Sequence, residues 1–298
     1  MIRSRPLLSA LLATISLGAV LALQTYSAFN KDVLSRRSRR LAGSMDFKCV
    51  DFSEPAIPQK ILDKVKLVSV STASVSVLGI PVRVLRVEHT DANSTANVLL
   101  LHGQAFSSAT WMELGTIQHL AAMGYAVAAV DLPGFGKTPA KAGLDKALFL
   151  EQLMYALSFK PQGTVIVSPS MSGSFSIPFL NKHPNLLKGY VPVAPVGADL
   201  LKSPPSKACG EPPKKSSITH PLLLRHAPSV LPDLSCYATP TLVVFGEKES
   251  SAFLYGCALL SSMPRAATHM IPNARHPAYL DDPQRWHTLL YNFIEALQ

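Results

Sequence analysis

From residue 97 onward, short continuous apolar runs alternate with longer segments of mixed polarity, and this alternation restricts the fold more than any other feature. Val98–Leu101, Tyr125–Val130, Thr164–Val167, Tyr190–Val193, Thr241–Phe245 and Thr268–Ile271 read as buried strands. Between and after them, 109–123, 144–159, the stretch after Ser170, 251–262 and 282–297 read as helices. Strands apolar on both faces, separated by helices, make a parallel sheet covered on both sides, which is the α/β class. Ahead of them, 66–77 and 81–88 alternate apolar and polar residues around Leu78-Gly79, which predicts an antiparallel hairpin with one wet face.

In such a sheet the chemistry gathers where the strands end. The run Thr164-Val165-Ile166-Val167-Ser168-Pro169-Ser170-Met171-Ser172-Gly173 passes from strand to helix through a serine apex with small residues two before and two after it. That spacing fits a strained strand-to-helix turn that exposes a nucleophile, although Ser168 and Ser172 stand where G-x-S-x-G has glycines. A serine-rich helix cap is the competing reading. After the first parallel strand, His102-Gly103-Gln104 lets the Gln104 N–H turn towards that serine, so that with the Met171 N–H it forms a two-donor oxyanion hole. His102 itself reads as a packing residue at the strand end. Asp131-Leu132-Pro133-Gly134-Phe135-Gly136-Lys137-Thr138 looks like a phosphate loop, but Asp131 occupies the position of that motif's first glycine. An ATPase is excluded, and the loop is read as a tight turn lining the site. Glu247 and Glu249 follow the 241–245 strand, and His276 follows the last strand.

The formal charge of +9 is not spread over the chain. Residues 1–40 hold seven Arg and Lys against Asp32, residues 202–235 hold five against Glu211 and Asp233, and the remainder is neutral. A neutral folded part excludes nucleic-acid binding. Leu7 to Leu23 is nearly unbroken apolar sequence between basic flanks, which predicts a single membrane-spanning signal-anchor over 1–30, with a cleavable signal peptide as the alternative. A basic linker is expected over 31–63. The basic flank argues for a cytoplasmic catalytic domain. The sequon Asn93-Ser94-Thr95 argues the opposite, a type II glycoprotein. The folded domain is then 64–298, carrying a segment, 202–235, with seven prolines that reads as a disordered or spliced insertion, or as a lid over the pocket.

The order serine, acid, histidine, each after a different strand, resembles the α/β-hydrolase family. Leu101-His102-Gly103, Asp131-Leu132-Pro133-Gly134-Phe135-Gly136, the elbow, Phe245-Gly246-Glu247-Lys248-Glu249 and His276-Pro277 carry the resemblance. Ser168-Pro169-Ser170-Met171-Ser172-Gly173 and Trp286-His287 are similar to the alpha/beta-hydrolase domain-containing protein 14 group, and the N-terminal run to its membrane-bound member. This resemblance implies Ser170 as nucleophile, His276 as base and then acid, and Glu249 as the orienting acid where the group usually has Asp. Arg275 stands where glycine is common and either binds an anionic substrate group or faces solvent. No metal or organic cofactor is implied. The expected activity is hydrolysis of small acyl esters, thioesters or acylated amines. An inactive interaction module and an acyltransferase using the same serine are the alternatives.

Overall fold

The computed structural model of the protein describes residues 47–88, 96–201 and 217–298. Eight strands form one sheet: β1 (Ser71–Val77), β2 (Ile80–Val87), β3 (Asn97–Leu100), β4 (Ala126–Val130), β5 (Thr164–Pro169), β6 (Gly189–Val193), β7 (Thr241–Gly246) and β8 (Ala266–Ile271). Their order is β1-β2-β4-β3-β5-β6-β7-β8. The hairpin pairs Val75 with Val82, and β2 joins β4 antiparallel. From β3 to β8 every pairing is parallel. All residues of β4, β5, β6 and β7 are buried, as continuous apolar strands between two helical layers must be. The mostly parallel α/β sheet expected from the alternation, with an antiparallel hairpin ahead of it, is what the chain adopts.

Nine helices follow the same logic among the described residues: α1 (Gln59–Val65), α2 (Ser108–Glu113), α3 (Thr116–Ala122), α4 (Lys146–Ala156), α5 (Gly173–Lys182), α6 (Pro221–His226), α7 (Ser251–Ser261), α8 (Ala278–Asp281) and α9 (Pro283–Glu295). The single helix expected over 109–123 is two, broken at Gly115. Ser107 accepts the Ala109 N–H at the start of α2, and Asp145 accepts the Ala147 and Leu148 N–H groups at the start of α4. These caps satisfy amides that a helix cannot pair internally.

Three expectations are corrected. Of the linker expected over 31–63, residues 31–46 lie outside the described residues, and from Phe47 the chain is packed onto the domain. Phe47 and Phe52 are buried, their rings 6.2 and 5.5 Å from that of Phe293 on α9. Asn292 donates to the carbonyls of Phe52 (3.0 Å) and Pro55 (2.8 Å). Two aromatic rings with a place in the core outweigh the prolines that marked the segment as a spacer. The second half of 202–235 is likewise ordered packing: Ile218, Leu223 and Leu234 are buried, and α6 lies against α7. Pro221 occupies the first turn of α6, where its missing N–H costs nothing. Residues 202–216 lie outside the described residues. The third correction concerns localisation. Among the described residues no helix is long and apolar enough to cross a membrane. Even α9 has 13 residues where a span needs about 20. The segment 1–30 and the sequon at Asn93 lie outside the described residues. The single-pass membrane assignment is therefore withdrawn.

Trp286 and His287 on α9 serve the core. The Trp286 indole N–H donates to Thr116 Oγ1 at 3.3 Å, and His287 Nε2 lies 3.0 Å from the same oxygen. The His287 ring stacks on that of His119 with centroids 3.9 Å apart. Burial, aided by His119, pushes the His287 imidazole down to about 3. An unfolded chain takes up a proton there below about pH 6.5 while the folded one stays neutral down to about pH 3. Stability is thus unaffected by this group above pH 6.5 and is lost as pH falls through that window. The expected result is a melting temperature that drops between pH 7 and pH 5 and drops less in His287→Asn; equal pH slopes would contradict it.

Candidate active site

Ser170 follows β5 in a left-handed backbone conformation, φ 48°, which a residue with a side chain adopts only under constraint. Two neighbours supply that constraint. The Val196 N–H donates to the Ser170 carbonyl at 2.8 Å. A Cβ on Gly173, at the start of α5, would lie 2.2 Å from the Val196 carbonyl oxygen, so only glycine lets the loop after β6 pass that close. The elbow is a real strand-to-helix turn with Ser170 at its apex.

The parallel sheet brings Ser170, Glu249 and His276 to one rim from the ends of β5, β7 and β8. Ser170 Oγ is 2.8 Å from His276 Nε2, and His276 Nδ1 is 2.8 Å from Glu249 Oε2. The other Glu249 oxygen accepts the Ser250 N–H at 2.8 Å, and the carboxylate side chain is 1% exposed. A carboxylate can only accept, so Nδ1 carries the imidazole proton and Nε2 is left to accept from the Ser170 hydroxyl. Gly246 makes this meeting possible. A Cβ there would fall 2.4 Å from the carbonyl oxygens of Ala274 and Arg275, which cross the end of β7 on the way to His276.

The loop that carries His276 is tied at both ends. Glu247 accepts the Asn273 N–H at 2.7 Å. Arg275 faces solvent, its side chain 75% exposed, while its backbone N–H and its guanidinium both donate to Asp281 on α8, at 2.7 and 2.6 Å. Hydrogen bonds from Arg275 hold the Asp281 carboxyl down to about 2, so the clamp stays ionised through neutral and mildly acidic pH and is lost only as pH falls towards that value. Asp281→Ala frees the loop without touching the reacting groups. A fall in kcat of about tenfold is expected in steady-state assays, since small misplacements of a catalytic group cost that much or more; an unchanged kcat would show that the clamp does not hold His276.

Gln104 lines a cavity of about 540 Å³ together with Gly103, Phe106, Ser170, Phe253, His276 and Tyr279. A Cβ on Gly103 would sit 3.6 Å from the Ser170 Cβ, which places this loop directly beside the serine. The Gln104 N–H makes no backbone hydrogen bond among the described residues. The Met171 N–H opens the helical turn after Ser170, where amides have no intrahelical acceptor. His102 is a packing residue, as read from the sequence. It is buried, its Nδ1 lies 2.8 Å from the Gly103 carbonyl and its Nε2 accepts the Leu132 N–H at 3.0 Å, and burial pushes its imidazole down. Asp131 also serves structure. Burial works to raise its pKa, but the N–H groups of Lys137 and Ser108 and the Arg83 guanidinium prevail and hold it below the usual carboxylate range.

Sequence reasoning missed the cavity's aromatic wall. Phe253 lies with its ring centroid 4.0 Å from that of His276, and Tyr279 packs on Trp111 at 4.8 Å. Neither residue stands at a strand end, which is where the signal was sought. Among the described residues no group of His, Cys, Asp and Glu has the makings of a metal site. A smaller cavity, about 260 Å³, opens near Arg86, Asn97 and Ser158 at the opposite end of the strands and contains none of these groups.

A mostly parallel eight-stranded sheet, a serine elbow after β5 and a histidine after the last strand define an α/β-hydrolase, a hydrolytic enzyme. Solved structures agree on the fold. A CIB-like hydrolase from Thermoplasma acidophilum superposes with a TM-score of 0.60 at 20% identity, over 76% of this chain and 98% of its own. The carboxylesterase CesB from Bacillus subtilis gives 0.56 at 21% identity, over 79% and 96%. The putative protein-lysine deacylase ABHD14B of Homo sapiens is 35% identical over 211 residues, 68% of this chain and 84% of that protein. Protein ABHD14A of Danio rerio is 34% identical over 204 residues, 67% of this chain and 64% of that protein. The chain belongs to the ABHD14 family of α/β-hydrolases. No protein-family model matches it.

Proposed function

We propose that this enzyme removes small acyl groups from esters, thioesters or acylated amines by a serine mechanism. The observation that carries the reading is the unbroken pair of 2.8 Å contacts from Ser170 Oγ through His276 to Glu249. Ser170 is a weak nucleophile until His276 Nε2 takes its proton as Oγ attacks the acyl carbon. Glu249 holds the imidazole in the tautomer with Nδ1 protonated and stabilises the imidazolium that forms. The Gln104 and Met171 amides receive the charge that develops on the acyl oxygen, each such donor being worth about 2.7–4 kcal/mol of barrier lowering. His276 then returns the proton to the leaving alcohol, thiol or amine, and water repeats the sequence on the acyl-enzyme.

The cavity wall of Phe106, Phe253, Tyr279, Val193 and Pro277 presents no Asp, Glu, Lys or Arg side chain, which favours an uncharged acyl group. The name of the human relative makes an acylated lysine amine the first substrate to assay. Fluorophosphonate labelling of the folded protein, with the adduct mapped by mass spectrometry, tests the reading. A single adduct on Ser170 is expected. Absence of any adduct on folded protein, or an adduct elsewhere, overturns it.

A further inference from the structure

Ser168 and Ser172 stand where related elbows have glycine, and smallness explains their tolerance but not their hydroxyls. Both are fully buried, and they are joined by two more buried hydroxyls, Ser176 on α5 and Tyr190 on β6. The four form a continuous chain. Ser172 Oγ is 2.7 Å from the Pro169 carbonyl oxygen, Ser168 Oγ is 3.0 Å from Ser172 Oγ, Ser176 Oγ is 2.7 Å from Ser168 Oγ, and the Tyr190 hydroxyl is 2.8 Å from Ser176 Oγ.

The direction of this chain follows from counting hydrogens. A carbonyl oxygen only accepts, so the one hydrogen of Ser172 is committed to Pro169. Ser168 must then donate to Ser172, Ser176 to Ser168 and Tyr190 to Ser176. Every bond points the same way, each polarising the next, and the last rests on the carbonyl of the peptide that enters Ser170. Burial pushes the Tyr190 phenol far up, so it keeps its hydrogen and remains the chain's source. The peptide that leaves Ser170 is held separately, by Val196.

We propose that Tyr190, Ser176, Ser168 and Ser172 are positioning residues: their one-way hydroxyl chain fixes the Pro169–Ser170 peptide plane and thereby holds the nucleophile in its left-handed conformation, the task that glycines leave to sterics in other elbows. The proposal rests on Ser170 being the nucleophile. It predicts effects on the acylation rate, at Ser170 itself, that neither filling space nor binding substrate accounts for.

The test is a double-mutant cycle between the two ends, Ser172→Ala and Tyr190→Phe, read as the second-order rate of fluorophosphonate labelling and as kcat and KM on a p-nitrophenyl ester, with folding checked by circular dichroism. Ser172→Ala is expected to slow labelling and kcat about tenfold, and Tyr190→Phe about threefold, with KM within about twofold of wild type, because an interaction that only positions the reacting group acts on kcat. The double variant is expected to be no slower than Ser172→Ala, since Tyr190 acts through Ser172; independent contributions would multiply to about thirtyfold. Multiplying effects, unchanged rates in folded variants, or a change confined to KM overturn the chain. If Ser172→Ala does not fold, Ser168→Gly takes its place in the cycle with the same expected non-additivity. A folded wild type that takes no label overturns the Ser170 reading and this proposal with it. A wild type and variants that label at one rate overturn only the latter.

Discussion

Replacing Ser170 with alanine is expected to lower kcat by about 10⁴–10⁶ and to abolish fluorophosphonate labelling, with little change in melting temperature. The oxygen removed contacts His276 Nε2 at 2.8 Å, and the elbow's backbone bond from Val196 does not involve the side chain. The residual rate should still exceed that in water, because the Gln104 and Met171 amides proposed for the oxyanion hole are left unchanged. Turnover of p-nitrophenyl acetate and of an acetyl-lysine peptide measures both. A variant that keeps more than about a tenth of wild-type turnover would place the nucleophile elsewhere.

Glu249 sets the second large effect. Its two oxygens are both engaged, one on His276 Nδ1 and one on the Ser250 N–H, each at 2.8 Å. Glu249→Gln can place an amide N–H against Nδ1. That forces the proton to Nε2, where it can no longer accept from Ser170, and a loss in kcat of about 10⁴ follows. Glu249→Asp keeps the charge but withdraws it by about one bond length, for which a loss near 10² is expected. The ratio of the two separates tautomer control from reach. Equal losses would mean that distance alone matters, and no loss in either would remove Glu249 from the mechanism.

Much of the fold was legible because strands buried on both faces have few polar positions. Thr241–Phe245 and Tyr125–Val130 read as interior on that ground. The meeting of Ser170, Glu249 and His276 was legible for a related reason, since a parallel sheet sends every strand's carboxyl end to one rim. Features that depend on meetings distant in sequence were not legible. Nothing near Phe47 or Phe52 announces that Phe293 awaits them, and Pro221 and Leu223 read as a loose insertion until α7 is seen beneath them. The serines of the elbow looked merely small, because the partner that gives their hydroxyls a direction, Tyr190, lies on the next strand.

The sheet's rim has one further consequence. Ser170 follows an interior strand, whereas His276 follows β8, at the edge of the sheet and among the described residues paired on one side only, with the Phe47 turn against it. Outer strands with fewer bonds open at lower free energy than interior ones. Warming should therefore separate the proton acceptor from the serine while most of the interior is still intact. The upper working temperature of this enzyme is set by a seam, and the segment around Phe47, far from any chemistry, is the stitch that closes it.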